Sequence, residues 1–249
     1  MEHQINQMQK DITGLKWYAV IVTILLLVLL TSSIFFLRTR KFEEISAERI
    51  NIIEKDGNLR MVLSNKSRSP EFLAYGKGIT PSIPAGLRPG LIFFNDEGTE
   101  NGGLVFMGGK DSVGNYNATG HLSFDQYNQN QVIYLQYSDT NGSQNTGLHI
   151  DDWQTKPDFW DWRAKYKQAQ LLPEGERKTA ILNQLMEPKP GQKAYAQRVF
   201  VGKDDAKTAM VTLADRSGKP RIQMQVDSNG KAMLNFLDEH GKVTSSFPK

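Results

Sequence analysis

Cysteine is missing from all 249 residues of the chain. Its absence excludes disulfide frameworks, thiolate metal sites and cysteine nucleophiles, and it suits a protein that works in an oxidising compartment. A chain of this length can bury a sizeable core in one large or two small domains. Hydrophobic residues make up 39% and charged residues 23% of the chain, which excludes a disordered or collagen-like protein.

A surplus of charge is also missing from most of the chain. The net charge is +3, and residues 1–41 carry all of it, with five basic and two acidic side chains. The rest of the chain therefore holds 25 basic and 25 acidic side chains. A nucleic-acid-binding domain needs a basic surplus, so we predict no nucleic-acid partner.

The usual catalytic and cofactor-binding strings are absent too. The chain contains no GxxxxGK[ST], GxGxxG, HExxH or GxSxG pattern. We therefore predict no cofactor and no metal, and the sequence favours a non-enzyme without deciding the question. His149 and Asp151 would share a strand face, which could start a metal site or an acid–base pair, although such pairs are more often ordinary sheet surface.

One long apolar run stands out. Residues 17–37 contain no charged side chain, and a helix of that length spans about 30 Å, the thickness of a hydrocarbon core. The run predicts one transmembrane helix after an N-terminal tail, residues 1–16. A cleaved signal peptide is the alternative, but its apolar region is usually about 7–15 residues long. The predicted membrane-interface residues flank the run: Trp17, Tyr18, Arg38, Arg40 and Lys41.

Signals for the side of the membrane oppose one another. Lys10 and Lys16 precede the run and three basic residues follow it, so the positive-inside rule favours a cytoplasmic C-terminal domain by one charge. The missing cysteines and the Asn/Gly/Ser-rich loops favour export, and large domains cross membranes with little regard to such counts. We predict a single-pass membrane protein with an extracytoplasmic domain.

Alternating apolar residues, broken by Asp/Gly turns, dominate the chain beyond residue 41. In the first such unit Ile50 and Ile52 share one strand face, and an Asp-Gly turn at 56–57 leads into a second strand. Near the C-terminus, DxxG turns begin at Asp215, Asp227 and Asp238, the spacing of an antiparallel meander. The pattern predicts a mainly β fold of antiparallel meanders, which a barrel, a sandwich or a small propeller would all fit.

A stretch with helical periodicity divides the strands into two blocks, residues 38–156 and 194–249. Residues 157–193 read as two helices that form a hairpin insertion, the first capped by Asp158. Trp162 falls on the buried stripe of the first helix, whereas Trp160 falls off it, where an exposed ring could contact a sugar or a protein. We expect residues 42–249 to form one domain.

Carboxylates provide the candidate catalytic residues. Asp96, Glu97 and Glu100 lie close together in sequence, and Asp125 follows a later strand. A glycosidase needs one protonated and one ionised carboxylate, and a cation or glycan could also use such a group. Hairpin turns contain the same residue types, so the pattern also fits plain turns. The candidate ligand or partner contacts are aromatic: Tyr127, Trp160 and Trp162.

Three strings carry a resemblance to a known family. They are ERINIIE at 48–54 with Asp-Gly at 56–57, GLIFFN at 90–95 followed by Glu-Gly at 97–98, and FDQY at 124–127. Over residues 42–153 the chain resembles a family of uncharacterised bacterial proteins in which an N-terminal hydrophobic segment precedes a β-rich domain. The resemblance implies that fold and a bacterial source. It implies no activity, so it transfers no catalytic residue.

These observations lead to two functional hypotheses. The first is a membrane-anchored, non-enzymatic binding or scaffolding module at a bacterial cell envelope, with the bilayer and an envelope protein or glycan as its partners. The alternative is a hydrolase that acts on an envelope glycan through Asp96, Glu97, Glu100 or Asp125. The two differ in whether these carboxylates converge in a cleft or lie scattered on convex turns.

Overall fold

The structure, a computed structural model, describes residues 1–37, 42–79 and 88–248. The chain divides into two compact units, Met1–Ser46 and Ala47–Lys249. The first unit contains one helix, and the second contains the sheet and two short helices.

The first unit contains helix α1, Glu2–Leu37. The helix runs without interruption through the segment that the sequence assigned to a tail, and its apolar part has a mean hydropathy of 2.2 over an 18-residue window. It is long and apolar enough to cross a membrane. Trp17 and Tyr18 lie on it with exposed rings. The predicted interface residues Arg38, Arg40 and Lys41 lie outside the described residues.

Twelve strands form one antiparallel sheet in the second unit. Each strand pairs with the strands that come before and after it in this sheet, whose two ends are Arg49–Ile53 and Val243–Phe247. The first strands are β1 (Arg49–Ile53), β2 (Leu59–Ser64), β5 (Gly90–Phe94), β6 (Glu100–Lys110), β7 (Tyr116–Asp125) and β8 (Gln131–Thr140). The others are β9 (Ser143–Trp153), β10 (Tyr195–Lys203), β11 (Ala209–Ala214), β12 (Pro220–Val226), β13 (Ala232–Leu237) and β14 (Val243–Phe247).

This topology confirms the predicted mainly β fold of antiparallel meanders and shows how its strands are arranged. A barrel would pair β1 with β14, and a sandwich or propeller would divide the strands among several sheets. Among the described residues, the strands instead form one open sheet and a separate two-stranded hairpin, β3 (Leu73–Ala74) and β4 (Lys77–Gly78).

The same kind of turn closes most of the hairpins. At Asp215 the main-chain N–H and C=O bond to Lys219 and Gly218, and the side chain accepts bonds from the N–H groups of Ser217 and Lys219. Asp227 and Asp238 repeat this pattern, which confirms the predicted DxxG turns. Turns of one kind, 11 or 12 residues apart, fix how each of these strands aligns with the next.

A small core lies on one face of the sheet, where residues 65–79, which follow β2 and which we call the crossing segment, pack against it. Val62, Ile92, Phe94 and Val105 are buried there, and Leu73 of that segment packs against them. Within this segment, between Ala74 and Lys77, the Gly76 N–H donates to the Gly98 carbonyl oxygen, 3.1 Å away. A Cβ at Gly98 would lie 2.9 Å from Gly76, so this approach requires glycine. We call this side of the sheet the covered face.

The predicted helical insertion lies between β9 and β10. Its helices are α2 (Phe159–Gln170) and α3 (Glu176–Met186). The Trp162 indole Nε1–H donates to the Leu185 carbonyl oxygen at 2.9 Å and so joins the two helices. Asp158 occupies the N-cap position of α2 but makes no capping bond, because its carboxylate binds Tyr75 and Lys156 instead.

Candidate functional site

A row of apolar side chains crosses the entire sheet on the face opposite the small core. Residues that pair directly across antiparallel strands lie side by side on the same face. The registers connect one apolar residue from each of the twelve strands: Ile50, Leu63, Leu91, Leu104, Leu122, Leu135, Leu148, Val201, Val211, Met224, Leu234 and Phe247.

A second row runs beside the first, two residues along each strand. All but two of its members are large and apolar: Ile52, Met61, Phe93, Gly102, Phe124, Ile133, Ile150, Val199, Leu213, Ile222, Phe236 and Ser245. Neither row contains a charged residue. We call the side of the sheet that carries the two rows the apolar face.

Many side chains of the apolar face are open to solvent. Leu135 is 50% exposed, Phe124 56% and Met224 57%. Phe106, next to the first row on β6, is 64% exposed. Contiguous exposed apolar surface of this extent on a folded chain marks a binding surface more often than a free one.

The covered face brings together two of the four predicted carboxylates. Arg88 forms an ion pair with Glu100, and both side chains are largely buried. Burial raises the pKa of Glu100. Burial and the nearby Glu100 raise the pKa of Asp125 to about 7, and Arg88 opposes that shift. Oδ1 of Asp125 and Oε2 of Glu100 have no hydrogen-bond partner among the described residues.

A cavity of about 190 Å³ lies beside this pair. Arg88, Glu100, His121 and Gln131 contribute polar groups to its lining, and Phe72 closes it from the crossing segment. Burial lowers the pKa of His121, so its imidazole is neutral near pH 7. The arrangement resembles an acid–base site in its residue types but encloses little space.

A second polar cluster lies farther along the covered face, around β8, β9 and β10. The Tyr134 and His149 rings stack with 4.4 Å between their centroids, and His149 Nδ1 lies 2.6 Å from the Gln197 amide nitrogen. Burial raises the pKa of Asp151 to about 6, and the Tyr134 and Tyr195 hydroxyls, which bond to its carboxylate, oppose that shift. The predicted sharing of a face by His149 and Asp151 therefore occurs, with both residues buried.

The other two predicted carboxylates lie apart from both clusters. Asp96 is exposed in the turn after β5 and pairs with Arg60 at 2.7 Å. Glu97 accepts a hydrogen bond from the Tyr127 hydroxyl at 2.9 Å. The predicted set of four therefore separates into a buried pair and two turn residues, and Tyr127 belongs with the turns.

The two tryptophans predicted as partner contacts both pack against residues of their own chain. Trp162 stacks on Tyr166 and bonds to α3, as the helical pattern predicted. The position of Trp160 off the stripe predicted an exposed ring. The residue is instead half-buried, because its ring packs against Phe72 and Phe159.

Sequence reasoning did not identify several residues of these clusters. Arg88 lies outside any motif, just before β5, and pairs with Glu100. Tyr134, Tyr195 and Gln197 join His149 and Asp151 through strand pairing, which local pattern does not determine. Within residues 1–37, 42–79 and 88–248, no group of three His, Cys, Asp or Glu side chains is placed to hold a metal ion.

Comparisons of the chain with protein-family models, with curated proteins and with solved structures return no match.

Proposed function

We propose that this chain is a non-enzymatic binding or scaffolding module that helix α1 anchors in a membrane, with the apolar face as its binding surface. The observation that carries the proposal is the pair of uncharged rows that cross all twelve strands, in which half of the apolar side chains are exposed and the other half are half-buried. Covering them with a partner removes apolar area from water, at roughly 25 cal/mol per Å².

The character of the surface favours a protein partner over a glycan. Glycan recognition relies on polar groups that hydrogen-bond hydroxyls, and the two rows offer apolar side chains instead. The length and composition of α1 support anchoring, and the absence of cysteine supports an extracytoplasmic position at a bacterial envelope.

Carbene labelling of the full chain in its native membrane tests this function. Val113 and Leu171 lie on loops, are 81% and 86% exposed, and serve as internal controls. If a partner covers the apolar face, Leu135 and Met224 will be labelled several-fold less than the two controls. Labelling in simple proportion to the exposed fractions would contradict the proposal.

The buried pair of Glu100 and Asp125 favours the alternative, a glycan hydrolase, because one of two close carboxyls has a pKa near neutrality. The space beside them argues against it. The cavity of about 190 Å³ is smaller than the roughly 300–1,000 Å³ of typical ligand pockets. The geometry therefore supports the binding module better.

A further inference from the structure

We propose that the occupant of the apolar face is a second copy of this chain, so that two sheets pack face to face through their apolar rows. This inference rests on the proposed function and names the partner of the same surface. Sheets that pack in this way lie about 10 Å apart and interdigitate the side chains of their inner faces.

The area of the two rows suits a stable interface between two copies. Strands about 4.8 Å apart make a row across twelve strands roughly 50 Å long, and two adjacent rows are roughly 14 Å wide. Each copy would then bury about 700 Å², and the pair about 1,400 Å², within the range of roughly 1,200–2,000 Å² for specific interfaces.

The chemistry of the rows also selects a second copy. Because neither row carries a charge, a charged or strongly polar partner surface would lose its hydration without gaining ion pairs. The apolar face of a second copy presents uncharged rows of the same composition, so neither surface loses the hydration of a charged group on contact. The rows Leu104–Leu122–Leu135–Leu148 of two copies can interdigitate as the inner faces of a sandwich do.

A lipid surface is the other apolar partner, and the charge distribution disfavours it. Domains that lie on anionic bilayers have a surplus of Lys and Arg around the apolar surface. Beyond residue 41 this chain has equal numbers of acidic and basic side chains. A bilayer would also leave the β-sheet edges next to the lipid unpaired.

Site-specific photocrosslinking in the full chain, in its native membrane, tests the proposal. The photoreactive residue p-benzoylphenylalanine replaces Leu135 or, in a second variant, Met224, both on the apolar face. The matched controls carry it at Gln136 or Gln223, the adjacent residues of the same strands, whose side chains point to the covered face. Peptide mass spectrometry then identifies the molecule to which each photoreactive residue has become crosslinked.

We expect a product of two chains from Leu135 or Met224, in which both crosslinked peptides come from this sequence, and at least fivefold less from the controls. Products that contain only another protein would overturn the proposal that the partner is a second copy, but would still support the apolar face as a binding surface. Adducts to lipid, or no adduct from either position, would overturn both the second copy and the proposed function.

Discussion

At the scale of single residues, the most unusual group is the Asp125 carboxyl. An acid whose pKa in the folded state, about 7, lies above its unfolded value binds more protons when folded. Its contribution to stability is therefore largest at low pH and falls as the pH rises from about 4 to about 7. Each pKa unit of that difference is worth about 1.4 kcal/mol.

Asp125→Asn removes this ionisation, so we expect the variant to gain stability relative to the unaltered chain as the pH rises through that window. Above pH 7 the gain should level off. Urea unfolding of the full chain in detergent, followed by tryptophan fluorescence at pH 4.5, 6 and 8, measures it. Asn117→Ala, at an exposed position of the same strand, changes no titratable group and is the control that should leave the pH dependence unchanged. A parallel pH dependence in Asp125→Asn would show that the carboxyl ionises freely.

At the scale of elements, the repeated hairpin turns determine how the strands align. Gly230 ends one DxxG turn at φ +83°, with no other atom near the position of a Cβ. Gly230→Ala should therefore lower the unfolding free energy by about 1–2 kcal/mol, purely through backbone conformation. Gly109 has equally open surroundings without a positive φ, so Gly109→Ala is the control. Equal unfolding free energies for the two variants would contradict this account of the turn.

Local sequence predicted the elements better than their pairing. The DxxG turns, the alternating strands and the helical hairpin are set by residues within a few positions of one another, and the structure confirms them. The two apolar rows depend on the register of every strand pair, and bulges between strands shift that register. Arg88, which pairs with Glu100, follows a stretch of sequence without a periodic pattern, so local sequence does not predict that contact. The sequence therefore predicted two of the site carboxylates but not their surroundings.

At the scale of the whole molecule, the sheet is unusual in how little of it is covered. Among the described residues, the large buried apolar side chains of the sheet are Val62, Ile92, Phe94 and Val105, which cluster on its first strands. The covered face becomes polar toward the C-terminus, where Thr212, Gln223, Asn235 and Ser246 continue its central row. The apolar face does not change in this way, as the proposed contact between two copies requires.

The mass of the full chain in lipid nanodiscs, measured by mass photometry, tests the central claim most directly. Each nanodisc should hold two copies of the unaltered chain. The double variant Leu135→Glu/Met224→Glu places charges on two half-exposed positions of the apolar face. Its nanodiscs should hold one copy each, because the charges would be buried between two sheets, and its circular dichroism spectrum should be unchanged. The matched control Gln136→Glu/Gln223→Glu should retain the mass of the unaltered chain. A single copy in the unaltered chain, or an unchanged mass in the apolar-face variant, would contradict the account.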